Sequence, residues 1–207
     1  MDIWVLVIIG ITIIIGALIF YETKKSNYQR DKSEREFWDR ESQANSTRRK
    51  DISYLNYIEI PLDTLPLSSC EDEEITEYQN TIKTMASKKV LNLSGKSNTD
   101  IKMEYGVANL PILSEYDNNY TTTINTLTRW GSRLFELNLN EDAITVLEFG
   151  ISIGSDISRN YYMLADYYRK NNQPEEIDRL ITIAEGITSI MGKSIVTKLN
   201  EIRSYCE

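Results

Sequence analysis

The sequence predicts an all-α fold: stacked helical hairpins closed by a C-terminal helix, with one further N-terminal helix suited to crossing a membrane. Three observations predict it. Residues 124–185 read twice in step, with apolar and small residues recurring at one period. Residues 3–20 form an uncharged, almost wholly aliphatic run. Helix-start and helix-stop signals fall in the gaps between runs of helical periodicity.

The aliphatic run comes first in the chain. As a helix at ~1.5 Å per residue, residues 3–20 reach roughly 27 Å, enough for a hydrocarbon core. Trp4 and Tyr21 stand at its ends, where amphipathic rings favour the headgroup layer. A cleaved leader needs a basic flank, a shorter core and a small-residue cleavage site. Here Asp2 precedes the run, and GALIFYE at its end offers no such site. Residues 1–21 are therefore read as a transmembrane anchor in the lipid bilayer. No Lys or Arg precedes the run, whereas Lys24, Lys25, Arg30, Lys32 and Arg35 follow it. The positive-inside rule then places the N-terminus outside and the C-terminal domain in the cytoplasm. On that topology the Asn-x-Ser/Thr triplets at Asn45, Asn92 and Asn119 are chance matches. Thr12 and Gly16 make one small-xxx-small pair, a weak signal for helix pairing that lipid-facing packing explains better.

Residues 22–50 are charge-mixed and free of Pro and Gly, a solvated juxtamembrane helix or linker with opposite charges three or four apart, as in Asp31/Arg35 and Glu36/Arg40. Phe37 and Trp38 are its large apolar residues, available to the body or to a partner. In residues 51–67, Pro61 and Pro66 forbid a continuous helix, and the many Ile, Leu and Tyr residues predict an extended segment laid against the body. Residues 68–121 hold N-terminal helices and an irregular region. Ser68 or Ser69 caps a helix to about Val90, with Glu71, Asp72, Glu73 and Glu74 at its start and Lys88 and Lys89 at its end, matching the helix dipole. Residues 91–106 read as irregular. Their Gly95-Lys96-Ser97 is the tail of a phosphate loop, but Val90 stands where the loop's first glycine belongs. Pro111 suits a helix start, and Asp117 to Asn119 predict a break.

Residues 122–190 carry the internal repeat. Trp130-Gly131 answers to Leu164-Ala165, Leu134 to Tyr168, Ala143 to Ile177, Leu147 to Ile181 and Gly150 to Ala184, each 34 positions apart. Asn140 is expected to cap the second helix, Ser155 or Asp156 the third, and Pro174 to open the fourth, which Gly192 ends. Residues 194–205 form a capping helix with Ile195, Leu199 and Ile202 on one face. A stacked array needs such a helix to cover its last apolar face. Residues 51–207 are expected to fold alone.

The period is that of a tetratricopeptide repeat, whose helix-turn-helix unit puts small residues where its two helices cross. WGSRLFELNLNEDAITVLEFG resembles one copy and LADYYRKNNQPEEIDRLITIAE a second, over a third of the chain. Ile177 departs from the small residue expected there, and Ser155 and Ser189 stand in place of the usual closing proline. The resemblance implies tetratricopeptide-like hairpins that bind an extended peptide on a concave face lined by the first helix of each unit. By register that face holds Asn125, Thr128, Ser132 and Phe135 from the first copy, and Arg159, Tyr162, Asp166 and Arg169 from the second. Members that clamp a terminal carboxylate use Lys and Asn where this chain has Thr128 and Ser132, so that ligand class is not implied. The same side chains have an alternative use, which is to hold the chain's own residues 52–67.

Charge narrows the function. Residues 21–50 carry nine Lys/Arg against six Asp/Glu, and residues 51–207 carry 14 against 24, within a net −8. A net-acidic body argues against nucleic acid, which requires a basic face. Two distant cysteines fit a reducing compartment. The lack of histidine removes the usual general base and the commonest metal ligand. No catalytic, cofactor or metal residues are assigned. The expected function is a membrane-anchored cytoplasmic adaptor or scaffold that binds a protein partner. The alternatives are a non-catalytic subunit of a membrane complex and a carboxylate-based enzyme.

Overall fold

The structure is a computed structural model that describes residues 3–67 and 71–206, the side chains of residues 5–9 excepted. Among the described residues it is all-α, with eight helices, one 3-10 turn and no strand. The helices are α1 (Ile3–Ser46), α2 (Glu73–Ala86), α3 (Asn98–Tyr105), α4 (Leu110–Glu136), α5 (Asn140–Ser152), α6 (Ser158–Lys170), α7 (Pro174–Glu185) and α8 (Met191–Ser204). The 3-10 turn, Val107–Asn109, leads into α4.

Helix α1 runs 44 residues without interruption, about 66 Å at ~1.5 Å per residue. Trp4, Ile13, Ile14, Ile19 and Phe20 on its first half are exposed. Among the described residues no helix is long and apolar enough to cross a membrane. The expected anchor, residues 3–20, includes residues 5–9, whose side chains lie outside the described set. Phe37 and Trp38 stay exposed and pack on each other edge to face, with ring centroids 5.3 Å apart. The charge pairing along α1 differs from expectation. Arg35 Nε donates to the Asp31 backbone carbonyl, and Arg40 leaves Glu36 to pair with Asp100 on α3.

That departure begins a junction. Glu41 pairs with Lys102 and accepts from the Thr99 hydroxyl at 2.7 Å, while Lys102 Nζ also donates to Asn45 Oδ1 at 2.9 Å. Ala44 is wholly buried. Lys50 N donates to Tyr105 O at 3.0 Å, and Asn109 Nδ2 donates back to Lys50 O at 2.8 Å. Gly106, at φ +91°, lies so close to the Arg48 carbonyl that a Cβ would overlap it. Residues 40–50 therefore belong to the body, and the expected boundary at residue 51 cuts through a packed junction.

Residues 51–67 are neither helix nor strand. Ile60 and Leu65 enter a core with Ile75 and Ile82 of α2 and with Tyr120, Ile124, Leu127 and Trp130 of α4. Helix α2 begins at Glu73, capped by Asp72, whose carboxylate accepts from Ile75 N. Asp72 is the Asx residue next to the first turn, while Ser68 and Ser69, the expected caps, lie outside the described residues. The helix stops at Ala86, so Lys88 and Lys89 lie beyond it and Lys83 is the cation of its last turn.

The region read as irregular contains α3. Ser97 and Asp100 form a reciprocal capping box, Ser97 N donating to Asp100 Oδ2 at 2.9 Å and Asp100 N to Ser97 Oγ at 3.2 Å. Lys96 of the Gly95-Lys96-Ser97 run pairs with Glu104 and donates to the Tyr105 hydroxyl. The break expected at Asp117 to Asn119 is absent, and α4 is one helix of 27 residues. Asp117 Oδ1 accepts from Leu93 N at 3.0 Å, and Asn119 Nδ2 donates to Lys89 O at 2.9 Å. Side chains engaged with the 89–93 loop do not compete for their own helical backbone.

The internal repeat is visible in the backbone. Asn138 and Asn172, 34 positions apart, both adopt the left-handed conformation (φ 60° and 57°). After each, a helix closes in the same way: Leu139 N donates to Leu134 O and Gln173 N to Tyr168 O, both at 2.9 Å. Helices α5 and α7 start from these turns. Leu139, not Asn140, is the residue before α5, and Asn140 is already helical. Pro174 opens α7. Helix α6 follows Ile157 and has no side-chain cap; Ser155 Oγ accepts from Ile157 N and from Asn160 Nδ2, both at 3.3 Å. Helix α7 ends at Glu185, and Gly192 lies inside α8, which starts three residues before the expected Ser194.

Where α4 crosses α5, Gly131 has no room for a side chain. A Cβ there stands 2.5 Å from Leu147 Cγ and Cδ2. Trp130, Leu134, Ala143, Leu147, Leu164, Ala165 and Ile177 are fully buried. Ile195, Leu199 and Ile202 of α8 join Leu164, Tyr168 and Leu180 in a second core that closes the stack. Full burial of each such large apolar side chain contributes roughly 1.5–3 kcal/mol.

Candidate functional site

Helix α6 packs against α8 and touches α4, so the three form one front. Two open hollows form on this front. The first, about 590 Å³, lies between the end of α4 and α6. Ser132, Phe135 and Glu136 line one wall, and Arg159, Met163, Asp166, Tyr167 and Lys170 the other. The second, about 560 Å³, lies between α6 and α8. Arg159, Tyr162, Met163, Asp166 and Arg169 face Lys198, Ile202 and Tyr205 across it. Arg159, Met163 and Asp166 border both, so the two make one groove with α6 as its central ridge.

Helical periodicity builds this ridge. Arg159, Tyr162, Met163, Asp166, Arg169 and Lys170 recur at three- and four-residue steps and share one face. The opposite face, with Asn160, Tyr161, Leu164, Ala165 and Tyr168, is buried. Arg159 donates from Nη2 to the Ser132 hydroxyl at 2.6 Å, bridging the helices across the first hollow. Arg169 pairs with Asp166 at 3.1 Å, and Lys170 reaches the same carboxylate at 3.4 Å. Partial burial pushes the Asp166 carboxyl up, but the Arg169 hydrogen bond and the Lys170 charge outweigh it and hold its pKa below the ordinary value. Phe135 and Tyr167 stack at a tilt, with centroids 5.8 Å apart, as the aromatic wall. Tyr162 reaches towards α8, its hydroxyl 3.5 Å from the Ser194 carbonyl.

Six of the eight residues expected on the concave face line this groove: Ser132, Phe135, Arg159, Tyr162, Asp166 and Arg169. Thr128 and Asn125 do not. Thr128 is buried and spends its hydroxyl on the Ile124 carbonyl at 2.8 Å. Asn125 is exposed but donates to Thr121 O at 2.9 Å, two turns before Ser132. Helix α6 bonds to α4 through Arg159 and Ser132, near the end of a helix that starts twelve residues before the expected 122 (122 − 110). Met163, Tyr167, Lys170, Lys198, Ile202 and Tyr205 were not anticipated. On α6 the signal was present, since Met163, Tyr167 and Lys170 sit one place from residues already assigned to that face. On α8 nothing in the repeat register pointed to them.

Residues 52–67 line neither hollow. Their buried side chains lie with α2 and α4 instead. Among the described residues no group of three or more His, Cys, Asp or Glu is placed to hold a metal ion. The lining supplies aromatic surface, guanidinium forks and hydroxyls, groups that favour the binding of a polypeptide. Set beside known proteins, the chain matches no family model, no curated protein and no solved structure.

Proposed function

We propose that this chain is a single-pass membrane-anchored cytoplasmic adaptor or scaffold, and that a segment of a partner protein binds the α4–α6–α8 groove. The groove carries the reading: its two open hollows share Arg159, Met163 and Asp166, and six of its lining residues are ones the repeat resemblance picked out. The hairpins are tetratricopeptide-like on this reading. The recurrent left-handed asparagines and the tight Gly131 crossing support that resemblance. The anchor rests on the charge-free residues 3–20 and on the exposure of Ile11, Ile13, Ile14, Ile15, Leu18, Ile19 and Phe20, which water disfavours. The exposed Phe37–Trp38 pair favours a second reading, a non-catalytic subunit whose stalk contacts another chain of a membrane complex.

One experiment separates these readings. A photo-crosslinking residue replaces Met163 in one sample and Trp38 in another, in native membranes. The adaptor reading expects capture at 163 that is lost in Tyr162→Ala with Arg169→Ala, with the melting temperature nearly unchanged. Capture at 38 alone supports the complex subunit and overturns the groove. Topology is tested apart from this, with a reporter active only in the cytoplasm fused after Glu207. A silent reporter there overturns the compartment.

A further inference from the structure

We infer that the groove takes an acidic peptide segment: an extended stretch of a partner protein that carries Asp or Glu at intervals, with apolar or aromatic side chains between them. The inference rests on the peptide-groove reading above and adds the chemistry of the partner.

The chain carries −8 overall, yet its groove gathers cations. Arg159, Arg169, Lys170 and Lys198 line it against Asp166 and Glu136. Pairing then shows which charges are unmatched. Lys198 is matched by Glu201 at 2.9 Å, whereas Glu136 shares Arg133 with Asp72 and Glu74 and keeps part of its negative charge on the α4 wall. Asp166 is shared by Arg169 and Lys170, which leaves one cation in excess at the far end of α6. Arg159, at the near end, has only the neutral Ser132 hydroxyl as its partner among the described residues. Two unmatched positive charges thus stand at opposite ends of one exposed ridge.

Their spacing defines a ligand. Arg159 and Arg169 are ten positions apart (169 − 159), roughly 15 Å along a helix. An extended chain covers that in about four or five residues at ~3.3 Å each. Tyr162, Met163 and Tyr167 lie between them and offer apolar contact to the intervening side chains. Guanidinium groups bind carboxylates through paired donors, so each end of the ridge suits a carboxylate. The acidic remainder of the body repels the same peptide elsewhere and steers it to the groove.

The test uses the full chain in mild detergent and three fluorescein-labelled pools of peptides of about twelve residues, roughly 40 Å when extended. All alternate apolar residues with a second class: Asp/Glu, Asn/Gln or Lys/Arg. Fluorescence anisotropy is expected to show the acidic pool binding at least about tenfold more tightly than the neutral one. Arg159→Glu should remove that preference, Arg159→Gln should reduce it, and Lys83→Glu on the exposed face of α2 should leave it. Circular dichroism checks that each variant is folded. Equal binding of the acidic and neutral pools, lost in Tyr162→Ala, overturns the acidic partner but keeps the groove. An acidic preference that survives Arg159→Glu, or no binding by any pool, overturns the inference. So does a self-association in sedimentation that Arg159→Glu dissolves, because the occupant is then a second copy offering its own Glu71 to Glu74 stretch.

Discussion

Gly131 is filled from outside by Leu147, whose side-chain carbons occupy the space a Cβ would take. Replacing a mid-helix glycine by alanine ordinarily gains roughly 0.5–1 kcal/mol through helix propensity. Here overpacking outweighs it, and Gly131→Ala should lose roughly 1–3 kcal/mol in denaturant unfolding. Ala143→Leu, at a fully buried site on the facing helix, should lose a similar amount. Lys170→Leu, on the exposed ridge, should stay within about 0.5 kcal/mol. Equal losses at all three positions would count against the crossing geometry. Gly131 was legible in the sequence because a small residue, Ala165, recurs in register in the second copy, whereas Ala143 answers to the larger Ile177. Thr128 was assigned by the same register, but it is buried and its hydroxyl is spent on its own helix.

At the scale of the element, the junction between α1 and α3 is held by ionised groups. Hydrogen bonds from Lys102 and then Thr99 hold the Glu41 carboxyl below its ordinary pKa. Bonds from Ser97, with Arg40 beside them, do the same for Asp100. A carboxyl whose folded pKa is depressed adds stability above its unfolded value, near ~4, and that stability is lost as pH falls through the folded value. The junction should therefore hold at neutral pH and loosen below about pH 4. Glu41→Gln should lower the melting temperature at pH 7 and flatten its fall between pH 5 and pH 3. A variant that melts in parallel with the parent at every pH would show that the pair adds nothing. The helix start at Pro174 could be read from local chemistry. The break placed at Asp117 to Asn119 could not be judged that way. Those side chains favour a break only when nothing else binds them, and here the 89–93 loop does. Helix α3 has only eight residues, too few for helical periodicity to show, and its one local signal was the capping-box spacing of Ser97 and Asp100.

For the whole molecule, the body begins about ten residues earlier than composition suggested. Polarity made residues 22–50 read as one solvated segment, yet residues 40–50 bond to α3 and to the turn after it. A fragment of residues 39–207 should melt about 2–8 °C above one of residues 51–207, the shift that roughly 1–2 kcal/mol gives a domain of this size. Matching melting temperatures in circular dichroism would place the boundary back at residue 51. The all-α class was legible from helical periodicity together with helix-start and helix-stop signals, and the first-helix front came from the tetratricopeptide resemblance. The packing of α8 against α6, which forms half of that groove, is a tertiary event with no signal in the repeat period.

The continuity of α1 has a rotational consequence. No turn, proline or glycine interrupts it between Phe20 and the Glu41 junction, so it transmits azimuth as well as height. If residues 3–20 sit in a bilayer as proposed, the groove has a fixed compass bearing about the membrane normal. One alanine inserted after Asn27 would turn the body by about 100° while raising it only ~1.5 Å. Seven would raise it about 10 Å yet bring it back to within roughly 20° of its first heading. A partner fixed in the same membrane should thus be lost with one added residue and partly regained with seven. A partner arriving from solution should notice neither.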